Sequence, residues 1–253
     1  MISMALGLSK KGFKIFSSTF AAFLTRAHDQ IRMAGISGGN FTLCGSHAGV
    51  SVGEDGSSQM GLEDIALFRS TANSSIFCPC DAVSCEKIVY ACKELKGINY
   101  IRTMRPKTPI IYRYDELFDV GDFKILRQSP KDNLILAGSG ITVHECLKAY
   151  EHLKKKGIAS AVIDLYCVKP FNEKKFKEFV KHHGNKIIVS EDHYPQGGIG
   201  EMLSTKVVND ETKIISLAVR KMPRSGTTEE LLHYEEIDAE SIVKAALEMV
   251  KNS

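Results

Sequence analysis

Leu134-Ile135-Leu136-Ala137-Gly138-Ser139-Gly140, followed by a helical stretch and then by Ala161-Val162-Ile163-Asp164-Leu165, is the segment that decides the fold class. An apolar run meets a glycine-punctuated turn, Val143, Leu147, Tyr150 and Leu153 recur at helical spacing, and a second β-branched run follows. Strands alternating with amphipathic helices build a mainly parallel sheet covered by helices. The alternation continues downstream with a helix carrying Phe176, Phe179 and Val180, strands at 186–189 and 214–219, and a C-terminal helix at 239–250 with Ile242, Ala245, Ala246 and Met249 on one face.

Upstream, the same reading gives strands at 13–16, 41–45, 75–78 and 99–102, with helical spacing in Leu24, Ala27, Ile31 and Ala34 and again in Leu62, Ile65 and Phe68. Asp81 is expected to cap a helix and Gly97 to stop it. From Met104 to Gly121 the alternation lapses into a stretch with Pro106, Pro109 and several aromatics. The expected architecture is α/β, two consecutive open, mainly parallel sheets flanked by helices: one domain over 1–106, a linker over 107–121 and a second domain over 122–253.

The 253 residues are 43% hydrophobic and 25% charged, a globular composition that excludes a disordered or fibrous chain. A net charge of +3 gives no reason to expect a nucleic-acid partner. No stretch of about eighteen apolar residues is present, so no membrane span is expected. Met1 to Leu8 reads as a helix and not as a secretory signal; it is expected to fray near Met1 and to expose an apolar face. Seven cysteines, an odd number, fit reduced thiols and a cytoplasmic location. Cys78-Pro79-Cys80 and Cys85 lack the paired spacing of a structural zinc site, and no metal ligands are assigned.

Ligands of open α/β sheets bind beyond the carboxyl ends of strands, so the loops there are the informative ones. After the strand ending at Gly45 comes Ser46-His47, then Val52-Gly53-Glu54-Asp55-Gly56 and Gln59, a segment suited to a small polar ligand or, equally, to an ordinary surface loop. Phe20 and Phe23 can face the same way at a strand-to-helix junction, as an aromatic wall or as core. Arg102 and Arg105 can hold an anion or stand solvated. Ala137 to Gly140 reads as a tight turn without the rest of a dinucleotide fingerprint, and Glu191-Asp192-His193 as packing and turn chemistry in preference to a metal site. No P-loop occurs.

Taken in order, Ser18-Thr19-Phe20-Ala21-Ala22-Phe23, Asp29-Gln30-Ile31-Arg32, Gly45-Ser46-His47, Val52 to Gly56 with Gln59, Ile101-Arg102-Thr103-Met104-Arg105-Pro106, Glu191-Asp192-His193 with Gly197 to Glu201, and Pro223-Arg224-Ser225-Gly226 resemble a transketolase over nearly the whole chain. The resemblance implies thiamine diphosphate chemistry, a two-carbon ketol unit passing between sugar phosphates of the pentose phosphate pathway. It implies a pyrimidine-binding domain followed by a C-terminal domain. By the same likeness Phe20, Phe23 and Gln59 would bind the cofactor, His47 and Asp55 would hydrogen-bond the sugar, and Arg105 would grip its phosphate.

The same family has a further domain that holds the diphosphate through Mg2+, with a Gly-Asp-Gly signature that these residues do not contain. Its catalytic glutamate stands in a Glu-Gln-Asn-Met run, whose last residue aligns with Met1. The resemblance therefore implies a chain that is catalytically incomplete alone, because metal, diphosphate ligands and the acid lie outside it. The expected partners are sugar phosphates and either a homodimer copy or a transketolase N-terminal half in trans. The other reading is a noncatalytic regulatory partner of an intact transketolase.

Overall fold

A computed structural model, describing residues 1–207 and 212–251, contains the expected alternation. The first half runs α1 (Ile2–Ser9), β1 (Phe16–Phe20), α2 (Ala21–Leu24), α3 (His28–Ile36), β2 (Phe41–Ser46), α4 (Asp64–Ser70), β3 (Ser74–Phe77), α5 (Ala82–Glu94) and β4 (Ile98–Arg102). The second runs β5 (Lys124–Arg127), β6 (Ile135–Gly138), α6 (Ile141–Lys155), β7 (Ala161–Asp164), β8 (Cys167–Lys169), α7 (Glu173–His182), β9 (Lys186–Ser190), α8 (Ile199–Val207), β10 (Lys213–Leu217), α9 (Thr228–Tyr234) and α10 (Ala239–Lys251).

The strands form two five-stranded sheets, ordered β1-β2-β4-β3-β8 and β10-β9-β6-β7-β5. All pairs are parallel except β3 with β8 and β5 with β7. The central strands β4, β6 and β7 are buried at every residue, as expected of parallel strands covered on both faces. Asp81 caps α5 by a reciprocal capping box with Ser84. Helix α10 packs Ile242, Ala246 and Met249 on the Cys146, Ala149 and Leu153 face of α6.

Three local expectations shift. The first strand occupies Phe16–Phe20 and not 13–16, because its ladder follows the register of β2, Phe16 against Thr42 and Phe20 against Ser46. The helix after Asp81 ends at Glu94, before Gly97, whose φ of +92° serves the turn into β4. Two short antiparallel strands, β5 and β8, were not expected at all.

The two halves are not separate bodies. Strand β8, from the second, completes the edge of the first sheet against β3. One apolar cluster joins Ile76 and Tyr100 of the first half to Ile163, Val189 and Ile199 of the second. Within the 107–121 connection, Tyr112 and Phe118 are buried, and Phe118 meets Tyr112 and Tyr166 edge-on at 4.9 Å each. Helix α1 buries Ile2 and Ala5 and leaves Met4 and Leu8 exposed, so its outer apolar face is as expected. All seven cysteines are free. Among the described residues no helix is long and apolar enough to cross a membrane.

Candidate functional site

The carboxyl ends of β1 and β2 bring Phe20, Phe23 and His47 together. Strand β1 ends at Phe20 and α2 begins at once, so Phe20 and Phe23 lie with rings nearly parallel, 5.4 Å apart at 4°. His47, just after β2, stacks on Phe20 at 3.8 Å and 12°, while its Nδ1 lies 3.0 Å from the Ser46 hydroxyl. Phe23 remains 49% exposed. The rings therefore make a short aromatic stack with one broad apolar surface open to a ligand.

Beyond His47 the chain makes a loop with a closed neck: Ala48 bridges Gly61, and the Gly49 N–H donates to the Gly61 carbonyl at 2.9 Å. Within it are two short 3-10 turns, Val50–Asp55 and Ser57–Gln59. The segment 51–54 walls an open cleft of about 370 Å³, faced by Arg105 and Pro106 and, from the second half, by Gly226 to Thr228. Arg105 Nη1 donates to the Val52 carbonyl at 3.1 Å and to Asp55 Oδ1 at 2.9 Å. These two predicted substrate residues are thus paired, with their side chains 41% and 33% exposed. Arg105 presents five N–H donors, and those on Nε and Nη2 have no partner among the described residues. Gln59 sits half-buried in the second turn and makes no side-chain hydrogen bond among those residues.

Arg102, the other candidate anion holder, turns inward. Its Nε donates to Asp64 Oδ2 at 2.8 Å and its Nη2 to the carbonyls of Gly61 at 3.1 Å and Asp192 at 2.6 Å. The Tyr100 hydroxyl donates to the same Asp64 oxygen at 2.6 Å. A guanidinium so enclosed, with Nε and Nη2 committed to Asp64, Gly61 and Asp192, serves to hold the fold.

Glu191, Asp192 and His193 are likewise buried. Glu191 accepts from the N–H groups of Ile199 at 2.5 Å and Gly200 at 2.9 Å, at the start of α8. Burial pushes its carboxyl up to about 7 against the pull of those two bonds. Asp192 accepts from Val50 N–H at 2.7 Å and Ser51 N–H at 3.2 Å, and burial raises its pKa also. His193 has Nδ1 2.6 Å from the Tyr194 carbonyl and takes the Ala66 N–H on Nε2 at 3.4 Å. Burial lowers it to about 4, so the neutral ring donates from Nδ1. All three side chains are thus engaged in hydrogen bonds to the backbone around them.

Sequence reasoning passed over Thr227 and Thr228. Thr227 opens α9 with a capping box to Glu230, a spacing legible in the sequence, and this turn brings Thr228 Oγ1 to the Ser51 carbonyl at 3.0 Å. Gly35-Ile36-Ser37-Gly38-Gly39 has the spacing of a serine-nucleophile elbow. It leads from α3 into β2, however, and such an elbow runs from strand to helix.

Residues 1–110 match the family model of the transketolase pyrimidine binding domain, and residues 121–242 that of the transketolase C-terminal domain. The chain belongs to the transketolase family. Transketolase-like protein 1 of Bos taurus is 49% identical over 247 residues, 97% of this chain and 41% of the relative. Transketolase of Mus musculus is 46% identical over 252 residues, 99% of this chain and 40% of its own. This chain accordingly spans about two fifths of the length of these curated transketolases. A split-gene transketolase solved as an inactive beta4 tetramer superposes with a TM-score of 0.87 at 28% identity, covering 98% of this chain and 79% of that one. A transketolase from Campylobacter jejuni shares the fold, with a TM-score of 0.81 at 21% identity over 98% of this chain and 38% of its own.

Proposed function

We propose that these residues form the aminopyrimidine and sugar-phosphate walls of a thiamine diphosphate-dependent ketol transferase, completed by a diphosphate-binding transketolase segment that lies outside them. The observation that carries the reading is the Arg105 cleft. A guanidinium with two nitrogens unpartnered among the described residues, set beside a carboxylate, matches a ligand that ends in phosphate and bears hydroxyls.

Within this reading each residue has a separate task. Arg105 grips the phosphate through Nε and Nη2, and Asp55 accepts from a sugar hydroxyl. His47 has Nε2 unpartnered among the described residues, which suits a second hydroxyl. Phe20 and Phe23 wall one face of a planar ring, and Gln59, in the 3-10 turn beside α2, hydrogen-bonds it. Bound thiamine diphosphate would supply the nucleophilic carbon that carries the two-carbon unit.

The aromatic stack fits the ring of that cofactor, whereas the donor set for its diphosphate and Mg2+ has no counterpart here. The only group of metal-ligating geometry among the described residues is His233, Asp238 and Glu240. It borders a different depression, with Lys221 and Tyr234, and not the Arg105 cleft. The 253 residues also hold no Gly-Asp-Gly and no Glu-Gln-Asn-Met run. By themselves they are expected not to turn over. We place the complete site at a contact between subunits, in the cytosol, where free thiols persist.

The test mixes the 253-residue chain with the N-terminal half of a transketolase relative and follows ketol transfer and titration with thiamine diphosphate and Mg2+. Cofactor binding and turnover in the mixture alone support the proposal. A folded, associated mixture that stays inert overturns it and leaves the regulatory reading.

A further inference from the structure

We propose that Asp192, in the second half, is a positioning residue for the cleft in the first: its carboxylate fixes the turn that sets Arg105 and Asp55. The inference deepens the proposed function and rests on it, because the ligand so served is the sugar phosphate.

Asp192 is itself enclosed and cannot reach a ligand in the cleft. Its two oxygens instead take the successive N–H groups of Val50 and Ser51, 142 and 141 residues away in sequence. One carboxylate spanning two adjacent amides fixes both position and orientation of the chain there. Gly49 permits the approach: its φ is +83°, and a Cβ on it would lie 2.0 Å from Asp192 Oδ2. Asp192 is held in turn by Arg102, which donates to its carbonyl at 2.6 Å and is locked by Asp64 at 2.8 Å.

The fixed turn leads directly to the cleft. Thr228 Oγ1 donates to the Ser51 carbonyl at 3.0 Å, and Arg105 Nη1 donates to the Val52 carbonyl at 3.1 Å. That same Nη1 then meets Asp55 at 2.9 Å. Three consecutive residues, 50 to 52, are therefore clamped by Asp192, Thr228 and Arg105. A shift of the turn away from Asp192 moves the carbonyl that aims the guanidinium, so the carboxylate governs phosphate binding without touching phosphate.

A double-mutant cycle on the full chain tests this, with D-ribose 5-phosphate as the probe in calorimetry and amide hydrogen exchange as an independent readout. Asp192→Asn is expected to speed exchange at Ser51 and to weaken ribose 5-phosphate by about tenfold, the scale of one charge-assisted hydrogen bond. In an Arg105→Gln background the same substitution is expected to weaken it by less than about threefold, because the residue it acts through is gone. Equal penalties in both backgrounds would reduce Asp192 to a support of the fold and overturn the inference.

Should Asp192→Asn not fold, Thr228→Val applies the same cycle from a less buried position, and additivity there overturns the inference equally. Should the unmodified chain not bind ribose 5-phosphate, the proposed function falls by itself. Exchange at Val50 and Ser51 then decides the positioning role, and no change in Asp192→Asn, or in Thr228→Val where the former does not fold, sinks it.

Discussion

Two loops of this chain carry a histidine, adjacent acids and glycines, and both leave the carboxyl end of a parallel strand. After β2, His47, Glu54 and Asp55 stay within reach of solvent, and Asp55 is answered by one surface guanidinium. After β9, Glu191, Asp192 and His193 are buried, and the two acids are answered by four backbone N–H groups. The difference lies in what stands opposite. A carboxylate facing fixed amides is committed to the fold, whereas one facing a flexible side chain can exchange that partner for a ligand.

The largest expected effect compares the two arginines that serve these loops. Arg102→Ala leaves Asp64 buried without its counter-charge and is expected to cost about 3–5 kcal/mol in urea unfolding. Arg105→Ala, at a half-exposed pair, is expected to cost less than about 1 kcal/mol. Similar losses for both would break the comparison.

Next comes pH. The folded protein keeps the Glu191 proton up to about 7, while the unfolded chain releases it near 4.5, so this group makes stability fall as pH rises through that window. His193 acts in the opposite sense: held at about 4 when folded against 6.5 unfolded, it makes stability rise between those values. Glu191→Gln should therefore turn the stability profile between pH 4.5 and 7 upward relative to the parent, by at most about 1.4 kcal/mol per pH unit. An unchanged profile by urea unfolding at stepped pH would refute the buried, proton-holding assignment.

A smaller effect is expected at the ligand. Asp55→Ala should weaken ribose 5-phosphate by about tenfold while moving stability by less than about 1 kcal/mol. Calorimetry and unfolding on one preparation separate the two. Smallest of all is Phe23→Ala, expected within about 0.5–1 kcal/mol because the ring is half in solvent, yet expected to weaken any planar ligand stacked there.

The architecture was legible because 134–165 and its neighbours repeat the strand-helix-strand rhythm that builds a parallel sheet. Strands β5 and β8 were not, being four and three residues long and paired antiparallel at sheet edges with shifted registers. Strand β1 was misplaced because Ser17, Ser18 and Thr19 look unlike a strand until β2 is beside them. At the site, loop composition pointed to the 46–59 segment, and family resemblance singled out Arg105 and Asp55. Composition could not tell Arg102 from Arg105, because their fates depend on Asp64, Gly61 and Asp192, which only the tertiary fold brings near. The reach of Asp192 to Val50 crosses 142 positions and has no local signal.

Strand β8 bears on how this polypeptide can be dissected. Its pairing of Lys169 with Ile76 and of Cys167 with Phe77 is reinforced by the Lys169 ammonium, which donates to the Arg69 and Thr71 carbonyls at 3.1 and 2.8 Å. A protease nick in the connecting stretch would thus yield fragments that co-purify. The N-terminal fragment produced alone would present a raw β3 edge, inviting foreign strands and precipitation.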